Sequence, residues 1–310
     1  MLGRAVGAAG KQAAVIDSAA ALRDRLADAF PGEQIPLPPH VEPLLKLHGR
    51  LPDQRPATCG AYVLTYLLPA RGFTEFEGES LAAEDYMAHL ARVTIDAREP
   101  AASYRFPVVA SADPAEQGTS PEGVARAVAI ASAGRLASIP IPGRDAAGAP
   151  QLEGGRWESL LDLIGSRFLS GGLDVLFNYE SDQLLAARDD TYNAPTLRRA
   201  DAAAVIPLDR WGVGHFATLA ALWRRPSGER WLVLLNSFKE RAFAGCEPQP
   251  AELMRRGVVR EDGRGGGVLV VLPGVRAEHV TREVEEIGLE VRMWSNGSRA
   301  PDDWRWSRGS

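Results

Sequence analysis

Four residues of this chain, Gln54, Cys59, His215 and Asn236, have types and an order that fit one chemistry: attack of a thiolate on a carbonyl carbon. That reaction needs an available thiolate, a base for its proton, a group that orients the base, and donors for the oxyanion. Cys59 precedes a largely apolar run through Leu68, which reads as a buried helix with Thr58 as its cap. Free N–H groups and the macrodipole at a helix start favour a thiolate. Gly60 leaves room for a substrate backbone. Gln54 stands close enough upstream to donate to the same oxyanion as the Cys59 N–H. His215 opens an apolar strand, and Asn236 ends the strand that begins near Trp231. Taken singly, each has a plainer reading: a small buried residue, a core histidine, a strand end. Their joint occurrence in this order carries the catalytic expectation.

The elements that must hold these residues change character along the chain. An alanine-rich helix spans the first 30 residues and stops at Pro31-Gly32, and Pro36, Pro38, Pro39 and Pro43 keep the following arm extended. Helices are expected from Thr58 to Pro69, from Ser80 to Ile95, from the capping Ser120 with Pro121 to Gly134, and from Trp157 to Leu169. Residues 137–155, rich in proline and glycine, read as an exposed connection. Strands follow at Leu173–Tyr179, Ala203–Pro207, Gly214–Trp223, Arg230–Ser237, Gly267–Leu272 and Leu289–Trp294, with a charged helix over Ala277–Ile287. The order implies an α+β protein, with an arm over 1–45, a helical part over 46–185 and a β-rich part over 186–310 that ends in a tryptophan-containing tail.

Strand parity sharpens the expectation for the base. If Arg225–Gly228 forms a four-residue loop, Arg224 pairs with Glu229, Leu222 with Trp231, Ala217 with Asn236, and His215 with Phe238. His215 and Asn236 then share a face as diagonal neighbours, within reach of each other. A slip of one residue pairs Thr218 with Asn236 and turns the amide away.

The series Gln54…Thr58-Cys59-Gly60, Gly214-His215 and Trp231…Asn236-Ser237-Phe238 resembles that of papain-like cysteine peptidases, and more narrowly of the bacterial double-glycine leader peptidases and their stand-alone relatives. Gly118-Thr119-Ser120-Pro121-Glu122-Gly123-Val124 and Leu160-Leu161-Asp162-Leu163…Gly171-Gly172-Leu173-Asp174-Val175-Leu176 are similar to further segments of those relatives. The resemblance covers about residues 50 to 240 in short pieces. It departs in a Gln-to-Cys gap one residue tighter than the commoner form, in Ala61 with no tryptophan in the helix, and in Phe238 where tryptophan is usual. It implies a two-lobed papain-like fold with a helical lobe, an antiparallel sheet lobe and a cleft between them. Cys59 would be the nucleophile, His215 the base, Asn236 its orienter and Gln54 an oxyanion donor in hydrolysis of a peptide or amide bond through a thioester. An acyltransferase or transpeptidase using the same thioester, and a non-catalytic peptide-binding module, are the alternatives.

Composition removes other classes. Apolar residues make up 45% of the 310 and charged residues 24%, an ordinary globular balance. A net charge of −5 argues against nucleic acid or an anionic membrane as partner. No apolar window approaches a membrane span and no signal peptide is evident, so the expectation is a cytoplasmic protein acting on a peptide or amide substrate. Cys59 and Cys246 allow one bridge but no disulfide framework. His40, His48, His89 and His279 show no metal-ligand spacing, and neither a metal nor another cofactor is implied. The oligomeric state is not legible.

Overall fold

The computed structural model describes residues 15–185, 214–239, 242–260 and 264–308. The chain enters through α1 (Ala19–Ala29), where the Ser18 hydroxyl accepts a hydrogen bond from the Ala21 N–H. Leu22 and Leu26 are buried along one side. The expected extended arm is interrupted by α2 (Val41–His48). Pro43 lies in its first turn, where a missing N–H breaks no helical bond. Next comes α3 (Cys59–Ala70), buried at every position from Cys59 to Leu68.

The helix expected over 80–95 is shorter. A small hairpin, β1 (Glu75–Phe76) and β2 (Glu79–Ser80), precedes α4 (Glu84–Leu90). Thr94 and Ile95 belong instead to β3 (Thr94–Asp96), which runs parallel to β4 (Val109–Ser111). In α5 (Pro121–Ala131) the Ser120 hydroxyl accepts from the Gly123 N–H at 3.0 Å, with proline at the first helical position.

The main sheet is assembled from β5 (Leu136–Pro142), then, after α6 (Gly154–Leu169), β6 (Asp174–Glu180), β7 (Gly214–Arg224), β8 (Arg230–Leu235) and β9 (Cys246–Pro250). After α7 (Ala251–Val259) it closes with β10 (Gly267–Pro273), and α8 (Ala277–Glu286) follows. Its order is β5-β10-β6-β7-β8-β9, with every neighbouring pair antiparallel. The protein is thus a mixed α+β fold with one large antiparallel sheet.

Three expectations need correction. Residues 136–142 are not an exposed connection but a wholly buried edge strand, where Pro140 and Pro142 are tolerated because an edge leaves one side of the ladder unpaired. Helices and strands are therefore not segregated along the chain, since the sheet draws β5 and β6 from the half expected to be helical. Leu289–Trp294 is not a strand: it is irregular, yet Leu289, Val291 and Trp294 are buried and the Arg292 N–H donates to Pro140 O. The tail does pack on the body, with Trp306 Nε1 donating to Ser138 O at 2.8 Å. The strand expected at 203–207 and the boundary at 185/186 concern residues outside the described ones.

Helix α3 packs on α2, α4, α5 and β7. The Tyr66 hydroxyl donates to Thr218 Oγ1 on β7 or to Leu235 O on β8, at 3.1 and 3.2 Å. The nucleophile candidate's helix is thereby fixed to the two strands that carry the other candidates.

The β7–β8 hairpin differs from expectation at its tip. The turn is a three-residue loop, Pro226–Gly228, with Gly228 at φ +89° and the Arg225 N–H bonded to Glu229 O. Arg224 consequently pairs with Arg230 and Leu222 with Leu232, one residue away from the expected register. A β-bulge at Ala220 then absorbs one residue, and from Leu219↔Leu234 onward the pairing is the expected one. Without it, Thr218 would face Asn236; with it, Thr218 faces Leu235.

Candidate active site

A cavity of about 450 Å³ opens between the start of α3 and the start of β7, lined by Gln54, Cys59, His215 and Phe238 among others. Cys59 is the first residue of α3 and only 7% exposed. The backbone N–H groups of Phe216, Gly60 and Cys59 itself lie near enough to its sulfur to favour the thiolate. Phe216 follows His215 directly, so the thiol lies against the strand that carries the imidazole. Burial outweighs these donors and pushes the thiol up to about 11, the reverse of the depression that a helix start alone implies. The charge of Glu84 adds to the upward push.

His215 is buried, and its orientation follows from a chain of donors. The Phe238 backbone N–H can only donate, and it does so to Asn236 Oδ1 at 3.0 Å. That contact identifies the oxygen end of the amide. His215 Nε2 lies 3.1 Å from the same Oδ1 and must therefore carry the proton and donate. Ser237 Oγ stands 3.3 Å from Nε2 as a second contact. In the neutral ring Nδ1 is then the basic nitrogen. The ring stacks on Phe238 at 5.2 Å between centroids and meets Tyr179 edge-on at 5.8 Å.

Asn236 lies behind the cavity rather than in its wall, with no exposed surface. Its backbone is held on both sides: the N–H donates to Gly245 O at 2.7 Å, and His48 Nε2 donates to its carbonyl at 2.7 Å. Among the described residues its Nδ2 has no partner. Gln54 lines the cavity, and its buried Oε1 has no partner among the described residues. The four candidates thus fall in one place, three around the cavity and Asn236 as the support of His215.

Two local readings change. Thr58 occupies the cap position of α3, but its side chain makes no capping bond; it reaches Arg55 O at 2.7 Å and the Glu84 carboxylate instead. Gly60 faces packing rather than substrate: a Cβ there would stand 2.8 Å from Thr119 Cγ2 and Val124 Cγ2, so its smallness lets the start of α5 close on the nucleophile helix. Further wall comes from Gln117 and the Gly118-Thr119 segment before α5, and from Asn296 and Ser298 of the tail, which no local pattern marks. Asn296 Nδ2 donates to Thr119 O and Ser298 Oγ to Gln117 O, joining the two segments. Gly118 has φ +121°, and a Cβ there would strike Ser298 Oγ at 2.5 Å.

Cys246 and Cys59 are both free thiols. Among the described residues no group of three His, Cys, Asp or Glu side chains is placed to hold a metal ion, and no helix is long and apolar enough to cross a membrane. A family model described as a family of unknown function (DUF6885) matches residues 38–295. No curated protein matches the chain.

Proposed function

The chain belongs to the DUF6885 family, and we propose that this protein is a papain-like thiol hydrolase that cleaves a peptide or amide bond through a Cys59 thioester. The observation that carries this reading is the donor chain from the Phe238 N–H through Asn236 Oδ1 to His215 Nε2, which makes Nδ1 the base in a cavity shared with Cys59. On this reading α3 forms one wall of a papain-like cleft and β7 the other.

Because burial holds the thiol neutral, the proton leaves as attack begins. His215 Nδ1 takes it from Sγ while Sγ bonds to the carbonyl carbon, and the carbonyl electrons move onto oxygen. The Cys59 N–H donates to that oxyanion, and the Gln54 amide, turned to present Nε2, supplies a second donor. Collapse expels the amine, which takes the proton from the imidazolium. Water, deprotonated by the same ring, then hydrolyses the thioester. Asn236 accepts from Nε2–H throughout and holds the ring in plane with the attack.

The test compares wild type with Cys59→Ala on a peptide library, with products read by mass. Cleavage by wild type and none by the variant supports the reading. Cleavage by neither, together with a Cys59 thiol inert to alkylation, rejects it. Adding a primary amine separates hydrolysis from acyl transfer, since a transferase yields the amide of the added amine. A non-catalytic peptide-binding module is the reading left if Cys59 proves inert.

A further inference from the structure

The turn that joins Gln54 to Cys59 is tied down from outside. Glu84, the first residue of α4, extends its carboxylate into the turn, where Oε1 accepts from the Arg55 backbone N–H at 2.9 Å and from the Thr58 hydroxyl. Thr58 also contacts Arg55 O, and the Thr119 hydroxyl donates to Ala57 O at 3.3 Å. Ala57 sits at φ +64°, a left-handed conformation that a residue with a Cβ adopts only when its surroundings impose it. The strained residue therefore lies between two anchors, both from outside the turn. Gln54 and Cys59 flank the turn, so its shape sets their separation.

The carboxylate also has an electrical effect. It is largely buried, which raises its own titration, while the bonds from Thr58 and Arg55 and the Arg55 guanidinium act the other way. The charged and titratable groups around it are Arg55 and Asp85, which pair at 3.3 Å, together with Cys59, Tyr62 and Tyr104. Its negative charge opposes ionisation of the Cys59 thiol.

We propose that Glu84 is a positioning residue of this site: its carboxylate clamps the turn that sets Gln54 against Cys59. The inference rests on the hydrolase reading and adds to it a group that touches neither substrate nor the reacting atoms.

Two variants test the clamp. Glu84→Gln keeps the shape and an acceptor oxygen; Glu84→Ala removes both. The readouts are alkylation of Cys59 by iodoacetamide, followed by mass, and the affinity for the peptide aldehyde acetyl-glycyl-glycinal, whose hemithioacetal needs the oxyanion donors. Glu84→Ala should weaken aldehyde binding by about tenfold or more, the scale of losing one oxyanion donor, while Glu84→Gln should stay within about threefold of wild type. A thermal melt checks that both variants are folded. Full aldehyde affinity in folded Glu84→Ala, or a loss in folded Glu84→Gln as large as in Glu84→Ala, overturns the proposal. A wild-type Cys59 that reacts with neither reagent overturns the hydrolase reading instead, and this inference with it.

Discussion

Cys59 and Cys246 make a natural contrast. Both are buried free thiols in one chain, and burial pushes both up, to about 11 and about 12 respectively. Cys246 lies in β9 opposite Leu235 with no exposed surface, and desolvation is opposed chiefly by the charge of Lys239. Cys59 stands at a helix start, has backbone N–H groups near its sulfur that favour the thiolate, and borders a cavity. The thiols differ little in the direction of their titration and greatly in what surrounds them. A cysteine's use is therefore decided by access, donors and a nearby base, and a helix terminus alone does not offset full burial.

The largest expected effect separates the two thiols outright. In native protein iodoacetamide should modify Cys59 at least about a hundredfold faster than Cys246, whose reaction must await opening of the sheet edge. Peptide mass mapping of a time course checks this, and equal rates would erase the contrast. The raised thiol also fixes a pH sign: alkylation of Cys59 should climb steadily above pH 8 rather than plateau near neutrality.

Removing the support of the base should cost less. Asn236→Ala leaves the Phe238 N–H without its acceptor and frees the ring of His215 to turn. A drop of roughly 10- to 100-fold in the rate of thioester formation is expected, with the fold retained, on the scale of lost general-base catalysis. Rapid-quench acylation with an activated peptide ester measures it, and an unchanged rate would show that Ser237 or packing orients the ring instead.

The support has its own acid sensitivity. Burial and the Lys239 charge push His48 down to about 3, below its ordinary 6.5. The unfolded chain therefore binds one more proton between those values, so this contribution to stability is present above pH 6.5 and lost as pH falls toward 3. It is on the order of a few kcal/mol at most. His48→Gln should flatten the fall in denaturation midpoint between pH 6.5 and 4, and a parallel curve would assign acid loss elsewhere.

The smallest effect is expected at Ala220. Its deletion removes the bulge but leaves Ala221↔Val233 and Leu219↔Leu234 as consecutive pairs, so the contact between His215 and Asn236 should survive at a cost of about 1 kcal/mol. Nitrogen chemical shifts of the His215 ring report it, and loss of the Nε2–H tautomer would mean that the bulge does more than adjust register.

The placement of the candidate residues was legible because they sit at element boundaries with clear local signals: an apolar helix from Cys59, a strand around His215, and a strand before Asn236. The expected register at the site agrees with the structure, yet by a different path. The turn is one residue shorter than assumed, and the bulge compensates for it. Neither is visible in an alternating apolar strand whose residues are buried on both faces, since periodicity is lost there. Buriedness also hid β5, in which prolines suggested a loop although an edge strand accommodates them. Gln117, Asn296 and Ser298 carry no signal, since they reach the cavity only through contacts between distant segments.

The sequence by itself determined which chemical groups exist, the order in which they occur and the local elements that carry them, because helix and strand formation depend on neighbours a few residues away. Tertiary structure alone decided that burial pushes the Cys59 thiol up, that Nε2 of His215 faces the Asn236 oxygen, that the Glu84 carboxylate bonds the turn before Cys59, and that the tail borders the cavity. Those properties arise from desolvation, from charges and from donors contributed by residues up to some 180 positions apart, as with Asn296 against Thr119. Such terms depend on distance in space, which spacing along the chain does not encode.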